Sequence, residues 1–192
     1  MSKNYYDENY QEYFKNTVDA DMSEMIEKFL SYLKPGDRIL DAGCGVGRDT
    51  KVFMQKGYEV EAFDSSIQMV RLSSEYTGQM TRFLRFEDMD YVDEFDGIWA
   101  CASLLHVSRE DLPDVFRRLE RALINGGVIY ASFKIGSDYT ENGRDFTCFD
   151  ECEMIEYLKS FSTLSIMETI VTKDVRDENS WVYWTNIFLQ KN

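Results

Sequence analysis

The sequence predicts an α/β fold: a mostly parallel β-sheet with helices packed on both of its faces. Short apolar stretches of strand length alternate with amphipathic stretches of helical spacing between about residues 38 and 133. A glycine-rich turn joins the first strand to the helix that follows it. The stretch 95–101 is mostly apolar, as expected of a strand covered on both faces. With 192 residues, 44% of them hydrophobic, the chain fits one domain.

The first elements follow from apolar spacing and from helix breakers. Apolar residues at helical spacing from about Tyr10 to Leu33 predict one or two helices, with a break near Ala20-Asp21. Pro35-Gly36-Asp37 ends this region. The next expected elements are a strand at 38–42, a helix at 49–56, a strand at 58–63 and a helix at 65–76.

The remaining elements continue the alternation as far as the fifth strand. Strands are expected at 82–86, 95–101 and 128–133, and a helix at 112–123, which Asn125-Gly126-Gly127 terminates. The stretch 136–147 is polar and predicts a loop. A helix at 151–160 and strands at 164–172 and 181–189 complete a sheet of seven strands.

The turn after the first strand predicts a bound nucleotide-like molecule. Three alternating glycines at positions 43, 45 and 47 allow tight bending and close approach of a ligand to the backbone. A dinucleotide-binding turn, G-x-G-x-x-G, needs a third glycine where Arg48 stands. Asp41 ends the strand, where its carboxylate can accept from an amine or a hydroxyl. Asp64 ends the second strand about 20 residues after Gly43, the spacing from which an acid reaches ribose hydroxyls.

Several motifs together resemble those of class I S-adenosylmethionine-dependent methyltransferases. The segment from Asp41 to Gly47 is similar to their D-x-G-x-G-x-G motif, and 64–69 to their D-x-S-x-x-M motif. Glu87-Asp88-Met89 resembles the segment beside adenine, and 95–106 the strand beside the methionine part of the cofactor. The segment 123–129 resembles the turn before strand five, with Asn125 in place of the usual proline. The resemblance covers about residues 10–135 and extends to small bacterial stand-alone enzymes of the tellurite-resistance type.

This resemblance implies a Rossmann-like three-layer α/β/α sandwich whose last strand is antiparallel. It implies S-adenosylmethionine as cofactor, S-adenosylhomocysteine as product, and a small-molecule methyl acceptor. Asp88 is favoured for the adenine amine, with Glu87 or backbone groups as alternatives. The expected cofactor-binding residues are Asp41, Gly43, Cys44, Gly45, Gly47, Arg48, Asp64, Ser65, Met69, Glu87, Asp88, Met89 and Cys101.

The acceptor site is expected between the N-terminal helices and the segment after strand five. His106 is a candidate general base, because imidazole titrates near neutral pH; a purely structural hydrogen bond is the alternative. Lys134 and Arg144 are basic groups that can hold an anionic acceptor, or Arg144 can pair with Glu141 or Asp145. The other expected substrate-binding residues are Tyr10, Tyr13 and Phe146. The single domain would then comprise a helical lid (about 1–34), a cofactor-binding core (about 35–135) and acceptor-side elements (about 136–192).

Composition restricts the function further. A net charge of −14 disfavours nucleic acid as a partner, since such binding depends on lysine and arginine neutralising phosphates. One histidine and four unclustered cysteines predict no metal site and free thiols in a reducing compartment. The sequence lacks a long apolar run and an N-terminal signal pattern, so we expect a cytoplasmic protein without membrane association.

Alternatives to small-molecule methylation remain at this level. They are methylation of RNA or protein, a cofactor-binding module without catalysis, and an NAD-dependent oxidoreductase, which Arg48 at the third-glycine position disfavours. The protein is expected to be a monomer or a homodimer.

Overall fold

The computed structural model describes residues 3–176 and 181–192, and the side chains from residue 5 onward within those ranges. Three helices precede the sheet: α1 (Lys3–Glu8), α2 (Tyr10–Thr17) and α3 (Ser23–Leu30). The predicted break near Ala20-Asp21 lies between α2 and α3. The N-terminal helical region therefore begins at Lys3 rather than near Tyr10, and it comprises three helices among the described residues rather than one or two.

A seven-stranded sheet forms the centre of the molecule, in the order β3-β2-β1-β4-β5-β9-β8. Its strands are β1 (Arg38–Ala42), β2 (Glu59–Asp64), β3 (Arg82–Phe83), β4 (Phe95–Ala100), β5 (Leu123–Lys134), β8 (Leu164–Lys173) and β9 (Tyr183–Lys191). The first five strands pair in parallel, and β9 lies antiparallel to both β5 and β8. The predicted mostly parallel sheet with an antiparallel last strand is confirmed.

Helices cover both faces of the sheet. The helices that follow β1 are α4 (Arg48–Gln55), α5 (Ile67–Thr77), α6 (Leu112–Ala122) and α7 (Glu151–Leu158). Successive strand residues point to opposite faces, so Ile39 packs in one hydrophobic cluster with α3, and Leu40 packs in the other with α6 and α7. Ile98 and Trp99 divide between the two clusters in the same way. This alternation gives the α/β/α sandwich two cores, one on each face.

Two stretches differ from the predicted elements. The third strand was expected at 82–86 but comprises only Arg82–Phe83, and a 3-10 turn follows at Phe86–Asp88. The expected loop at 136–147 contains a hairpin of β6 (Tyr139–Glu141) and β7 (Arg144–Phe146). An Asn-Gly turn closes this hairpin, with Asn142 and Gly143 at φ of 51° and 72°. The polar composition hid the strands, although Asn-Gly is itself a hairpin signal.

In the sheet, β1 lies between β2 and β4. The chain passes from β1 to β2 and β3 on one side of β1, and then to β4 and β5 on the other side. In an open α/β sheet, ligands bind beyond the carboxyl ends of the strands at such a switch point. The residues that follow β1, β2, β4 and β5 therefore meet at one edge. None of the helices in the described part of the chain is long and apolar enough to cross a membrane.

Candidate active site

Two adjoining cavities lie at this edge of the sheet. The larger has a volume of about 530 Å³ and the smaller about 460 Å³. Both are lined by Gly43, Gly45, Ala102, His106 and the tyrosines Tyr6 and Tyr13. Each has the size of a small-molecule or cofactor site. The shared lining makes them two halves of one site, which meet at the glycine turn and at His106.

The glycine turn is held against the end of β2 by backbone and carboxylate hydrogen bonds. Gly43 N and Cys44 N donate to the carbonyl oxygen of Phe63, at 3.0 and 2.9 Å. Gly45 N donates to Asp64 Oδ2 at 2.9 Å. The three glycines have φ of 76°, 54° and 81°, which any other residue type would adopt only with strain. The positive φ at these positions bends the backbone tightly after β1.

The connection after β4 contacts the glycine turn. Ser103 Oγ donates to the carbonyl oxygen of Ala42 at 2.7 Å, and a Cβ placed on Gly43 would lie 2.6 Å from Ser103 Cβ. Ala102 has an unusual φ of 50°, and its N–H donates to Ser132 Oγ at 2.8 Å. Left-handed backbone at a residue other than glycine costs free energy and is common at functional sites.

The smaller cavity has the chemistry of a nucleoside site. Asp64 and Ser65 line it beside Met69, Leu84 and Phe86. Asp64 also accepts from Ser66 N at 2.8 Å, and each carboxylate oxygen retains capacity for a further donor. Burial raises the pKa of Asp64 to about 6. A carboxylate for two hydroxyls beside apolar and aromatic walls for a planar base fits an adenosine group.

The larger cavity begins beside three charged residues at the end of β1 and the start of α4. Asp41 accepts from Thr50 Oγ1 at 2.5 Å, and burial together with the nearby charge of Asp49 raises its pKa above the usual range. Asp49 forms a paired contact with Arg48, with Nε–Oδ1 at 2.6 Å and Nη2–Oδ2 at 2.8 Å. Opposite charges on one wall can bind a group that carries both an amine and a carboxylate.

The far wall of the larger cavity is basic and aromatic. Lys134 and Arg144 line it together with Phe146. The Arg144 guanidinium lies 3.8 Å from the centre of the Tyr5 ring, and its Nη2 lies 3.6 Å from Glu141. Its Nε is buried and has no hydrogen-bond partner among the described residues. The expected pairing of Arg144 with Glu141 therefore exists but leaves one buried donor unused.

His106 lies where the two cavities meet, bonded through both ring nitrogens. Its Nδ1 is 3.0 Å from the carbonyl oxygen of Asp145, which can only accept, so Nδ1 carries the proton. Its Nε2 is 2.7 Å from the hydroxyl of Tyr6 and therefore accepts from it. Burial, with smaller effects from Arg144 and Lys134, lowers the pKa of His106 to about 4. The imidazole is neutral at physiological pH, and the lone pair on its Nε2 accepts the hydrogen bond from Tyr6.

Most of the expected site residues line these cavities. In the larger are Asp41, Gly43, Cys44, Gly45, Arg48, Cys101, Tyr13, His106, Lys134, Arg144 and Phe146; in the smaller are Gly43, Gly45, Asp64, Ser65, Met69, Glu87, Tyr13 and His106. Four others lie outside both.

These four residues have contacts of their own elsewhere. A Cβ on Gly47 would lie 2.6 Å from Ser73 Oγ, so Gly47 allows α4 and α5 to pack. Met89 is fully buried in the core, and Asp88 pairs with Arg85 at the surface. Tyr10 accepts from Gln11.

Tyr6 and Asp49 were not among the expected site residues. Five aromatic residues crowd positions 5–14, within the expected helical lid, but spacing along the chain could not show that Tyr6 faces His106, 100 residues away. Asp49 begins the helix predicted at 49–56, and its position in the sequence does not show its contacts. Its contact with Trp99 Nε1, at 2.8 Å, depends on β4 lying beside β1.

Comparison with known proteins agrees with this geometry. Residues 10–169 match the family model described as a methyltransferase domain. The chain belongs to this family. The predicted resemblance to class I methyltransferases, including small bacterial ones, is confirmed. Among the described residues, no group of three or more side chains is arranged to hold a metal ion.

Relatives of this methyltransferase domain include proteins of very different length. It is 32% identical over 105 residues to phosphoethanolamine N-methyltransferase 3 of Arabidopsis thaliana, covering 50% of this chain and 21% of that protein. The chain thus spans about a fifth of that plant relative.

Two solved structures share the fold of this methyltransferase domain. The 1,6-didemethyltoxoflavin-N1-methyltransferase of Burkholderia thailandensis has a TM-score of 0.80 at 19% identity, covering 97% of this chain and 84% of that one. TehB of Haemophilus influenzae has a TM-score of 0.74 at 19% identity, covering 97% and 67%.

The raised pKa of Asp64 predicts a pH dependence of stability. The folded chain holds the Asp64 proton up to about pH 6, whereas an unfolded aspartate releases it near 4. Stability therefore falls as pH rises from about 4 to 6 and loses no more from this group above that range. Asp64→Asn removes this contribution.

Urea denaturation of the ligand-free protein at several pH values measures it. The difference in unfolding free energy between wild type and Asp64→Asn should change across that range. The exposed substitution Asp90→Asn serves as the matched control. A pH-independent difference for Asp64→Asn would contradict the burial assigned to this carboxylate.

Proposed function

We propose that this protein transfers the methyl group of S-adenosylmethionine to a small molecule that carries an anionic group. The observation that carries this proposal is the pair of joined cavities, one suited to a nucleoside and the other ending at Lys134 and Arg144. S-adenosylmethionine supplies a methyl group on a positively charged sulfur, already activated for displacement. The chain's own residues then need to bind, orient and exclude water.

The cofactor would be held at both of its ends. Asp64 would accept the two ribose hydroxyls, while Met69 and Phe86 would contact the adenine ring in the smaller cavity. Glu87 lines the same cavity and is better placed than Asp88 for the adenine amine, because Asp88 pairs with Arg85. Asp41 and Arg48, which line the larger cavity, would hold the amine and carboxylate of the methionine part.

The glycine turn and the connection after β4 would lie along the middle of the cofactor. Gly43, Gly45 and Ala102 line both cavities, so a ligand that extends from one to the other must pass them. Cys44 and Cys101 lie on the larger-cavity side of this passage. Burial raises the pKa of Cys101 to about 12, so its thiol remains protonated and serves as an apolar wall rather than a nucleophile.

The acceptor would lie in the larger cavity, with its anionic group toward Lys134 and Arg144. Arg144 has a buried Nε without a partner among the described residues, and an unsatisfied buried donor costs free energy until an acceptor fills it. Lys134 lies 4.4 Å from the Phe146 ring and donates to Tyr139 Oη, which leaves further protons on its ammonium group. Two cations beside an aromatic wall suit a phosphate or a carboxylate on a small molecule.

Tyr6 and His106 would orient the nucleophile of the acceptor. Because Tyr6 donates its proton to His106, its oxygen accepts from Arg144 and keeps one further lone pair for an N–H or O–H group in the cavity. Burial raises the pKa of Tyr6, so the phenol stays protonated. His106 thus acts through Tyr6, as a positioning residue, and can take the phenol proton if the nucleophile passes its own proton to Tyr6.

The alternative functions predict different results for ligand binding and methyl transfer. A net charge of −14 opposes RNA as acceptor, and cavities of this size suit a small molecule better than a folded protein surface. A binding module without catalysis would bind S-adenosylhomocysteine and transfer no methyl group. An oxidoreductase would bind NAD, whose pyrophosphate the acids Asp41 and Asp49 oppose.

Calorimetry with S-adenosylhomocysteine and NAD tests the cofactor assignment. We expect binding of S-adenosylhomocysteine and none of NAD at the same concentrations. Asp64→Asn should weaken binding by about tenfold or more, because a hydrogen bond to a charged group is worth about 1.5–3 kcal/mol. Asp90→Asn serves as the matched control, and binding of NAD alone would refute the proposal.

Transfer of labelled methyl groups to phosphoethanolamine and ethanolamine tests the anionic group of the acceptor. The first is the acceptor in the plant relative's name, and the second is the same amine without phosphate. We expect phosphoethanolamine to be favoured, and Arg144→Gln to raise its KM by about tenfold or more with little effect on ethanolamine. The exposed Arg117→Gln is the charge-matched control. Equal use of both amines by wild type and Arg144→Gln would contradict the anion site.

The pH profile of methyl transfer tests the Tyr6–His106 pair. With the pKa of His106 lowered to about 4, its Nε2 accepts from Tyr6 throughout the neutral range. Turnover should therefore show no loss attributable to His106 between pH 8 and about 5, and Tyr6→Phe and His106→Gln should each lower kcat by about tenfold to a hundredfold. Tyr10→Phe, outside both cavities, should change kcat little. An acid limb near pH 6.5 that disappears in His106→Gln would show an imidazole that titrates normally and would contradict this assignment.

A further inference from the structure

Asp7, in the last turn of α1, makes a contact that the proposed function does not use. Its Oδ1 accepts from Ser66 Oγ at 2.5 Å and from Gln68 N at 3.3 Å. Both donors belong to the N-terminal end of α5, where unpaired amides and the helix dipole favour a negative charge. A carboxylate from the N-terminal segment thus lies on a helix end that belongs to the nucleoside cavity.

Ser66 connects this carboxylate to Asp64. Its N–H donates to Asp64 Oδ1 at 2.8 Å, while its hydroxyl donates to Asp7. The same hydroxyl oxygen accepts from Met69 N at 3.2 Å and caps α5. One buried residue therefore bonds the acid expected to hold the ribose and the acid of α1. The two negative charges lie close enough for Asp7 to contribute to the raised pKa of Asp64.

Tyr6, the residue before Asp7, attaches α1 to His106. Tyr6 bonds to His106 and lines both cavities, whereas Asp7 bonds to α5. Two adjacent residues of α1 thus attach it to the acceptor half and to the nucleoside half of the site. A ligand in the cavities lies beneath a helix that is held at both sides.

We propose that Asp7 is a positioning residue that holds α1 closed over the bound cofactor, and that Ser66 couples this closure to ribose binding at Asp64. Ribose hydroxyls that donate to Asp64 offset its charge and reduce its repulsion of Asp7. Closure and cofactor binding then favour one another by the same factor, as linkage requires. The inference rests on the proposed function, since it assigns the ribose to Asp64.

The dissociation rate of labelled S-adenosylhomocysteine, chased with excess unlabelled compound, tests this coupling. Asp7→Ala should speed dissociation by about tenfold, equivalent to about 1.4 kcal/mol. Glu8→Ala removes the neighbouring exposed acid from the same helix and should change the rate less than twofold. The rise in Tm on adding S-adenosylhomocysteine should be smaller in Asp7→Ala than in Glu8→Ala, whatever the Tm of each ligand-free variant.

The Ser66→Ala variant tests the route. If Ser66 carries the coupling, Asp7→Ala should speed dissociation much less in the Ser66→Ala background than in wild type. Full additivity of the two changes would overturn the route through Ser66. Equal dissociation rates in Asp7→Ala and Glu8→Ala, or equal rises in Tm on adding S-adenosylhomocysteine, would overturn the positioning role. Failure of wild type to bind S-adenosylhomocysteine would instead refute the proposed function.

Discussion

The hydrogen bonds between the glycine turn and the end of β2 are the constraint on which the rest of the site depends. Three successive amides of the turn, at residues 43–45, donate to the carbonyl of Phe63 and to the Asp64 carboxylate. They hold the turn against the end of β2, while Ser103, after β4, contacts it from the other side. The positive φ of each glycine allows the turn to bend so that these amides face β2.

The distribution of charge across the site follows from this arrangement. Acids gather around the turn, where Asp41, Asp49 and Asp64 are each bonded to donors of the neighbouring elements. Arg144, whose Nε has no partner among the described residues, lines the larger cavity from the small hairpin. In a chain with a net charge of −14, the larger cavity is thus lined by acids near the glycine turn and by a basic group from the hairpin. A molecule with donors at one end and an anion at the other matches it.

The two side chains that meet where the cavities join, His106 and Tyr6, are both neutral. Burial keeps His106 uncharged and Tyr6 protonated, and the hydrogen bond between them satisfies both groups. The α1 helix that carries Tyr6 also carries Asp7, so one short helix contacts both His106 and the N-terminal end of α5. Because His106 in turn bonds to the backbone of Asp145, the hairpin and α1 are linked through a single imidazole.

The sequence by itself determined the order of elements, the central sheet and the position of the glycine turn. These depend on local signals. One is the apolar stretch that includes Ile39 and Leu40, and the other is the set of alternating glycines, which a backbone with positive φ requires. It also placed Asp64 correctly at the end of β2. It could not show that Tyr6 meets His106, that Arg144 retains an unused donor, or that Met89 packs in the core. Each of these depends on segments that are far apart in the chain and that the fold brings together, so no pattern of residue spacing indicates them.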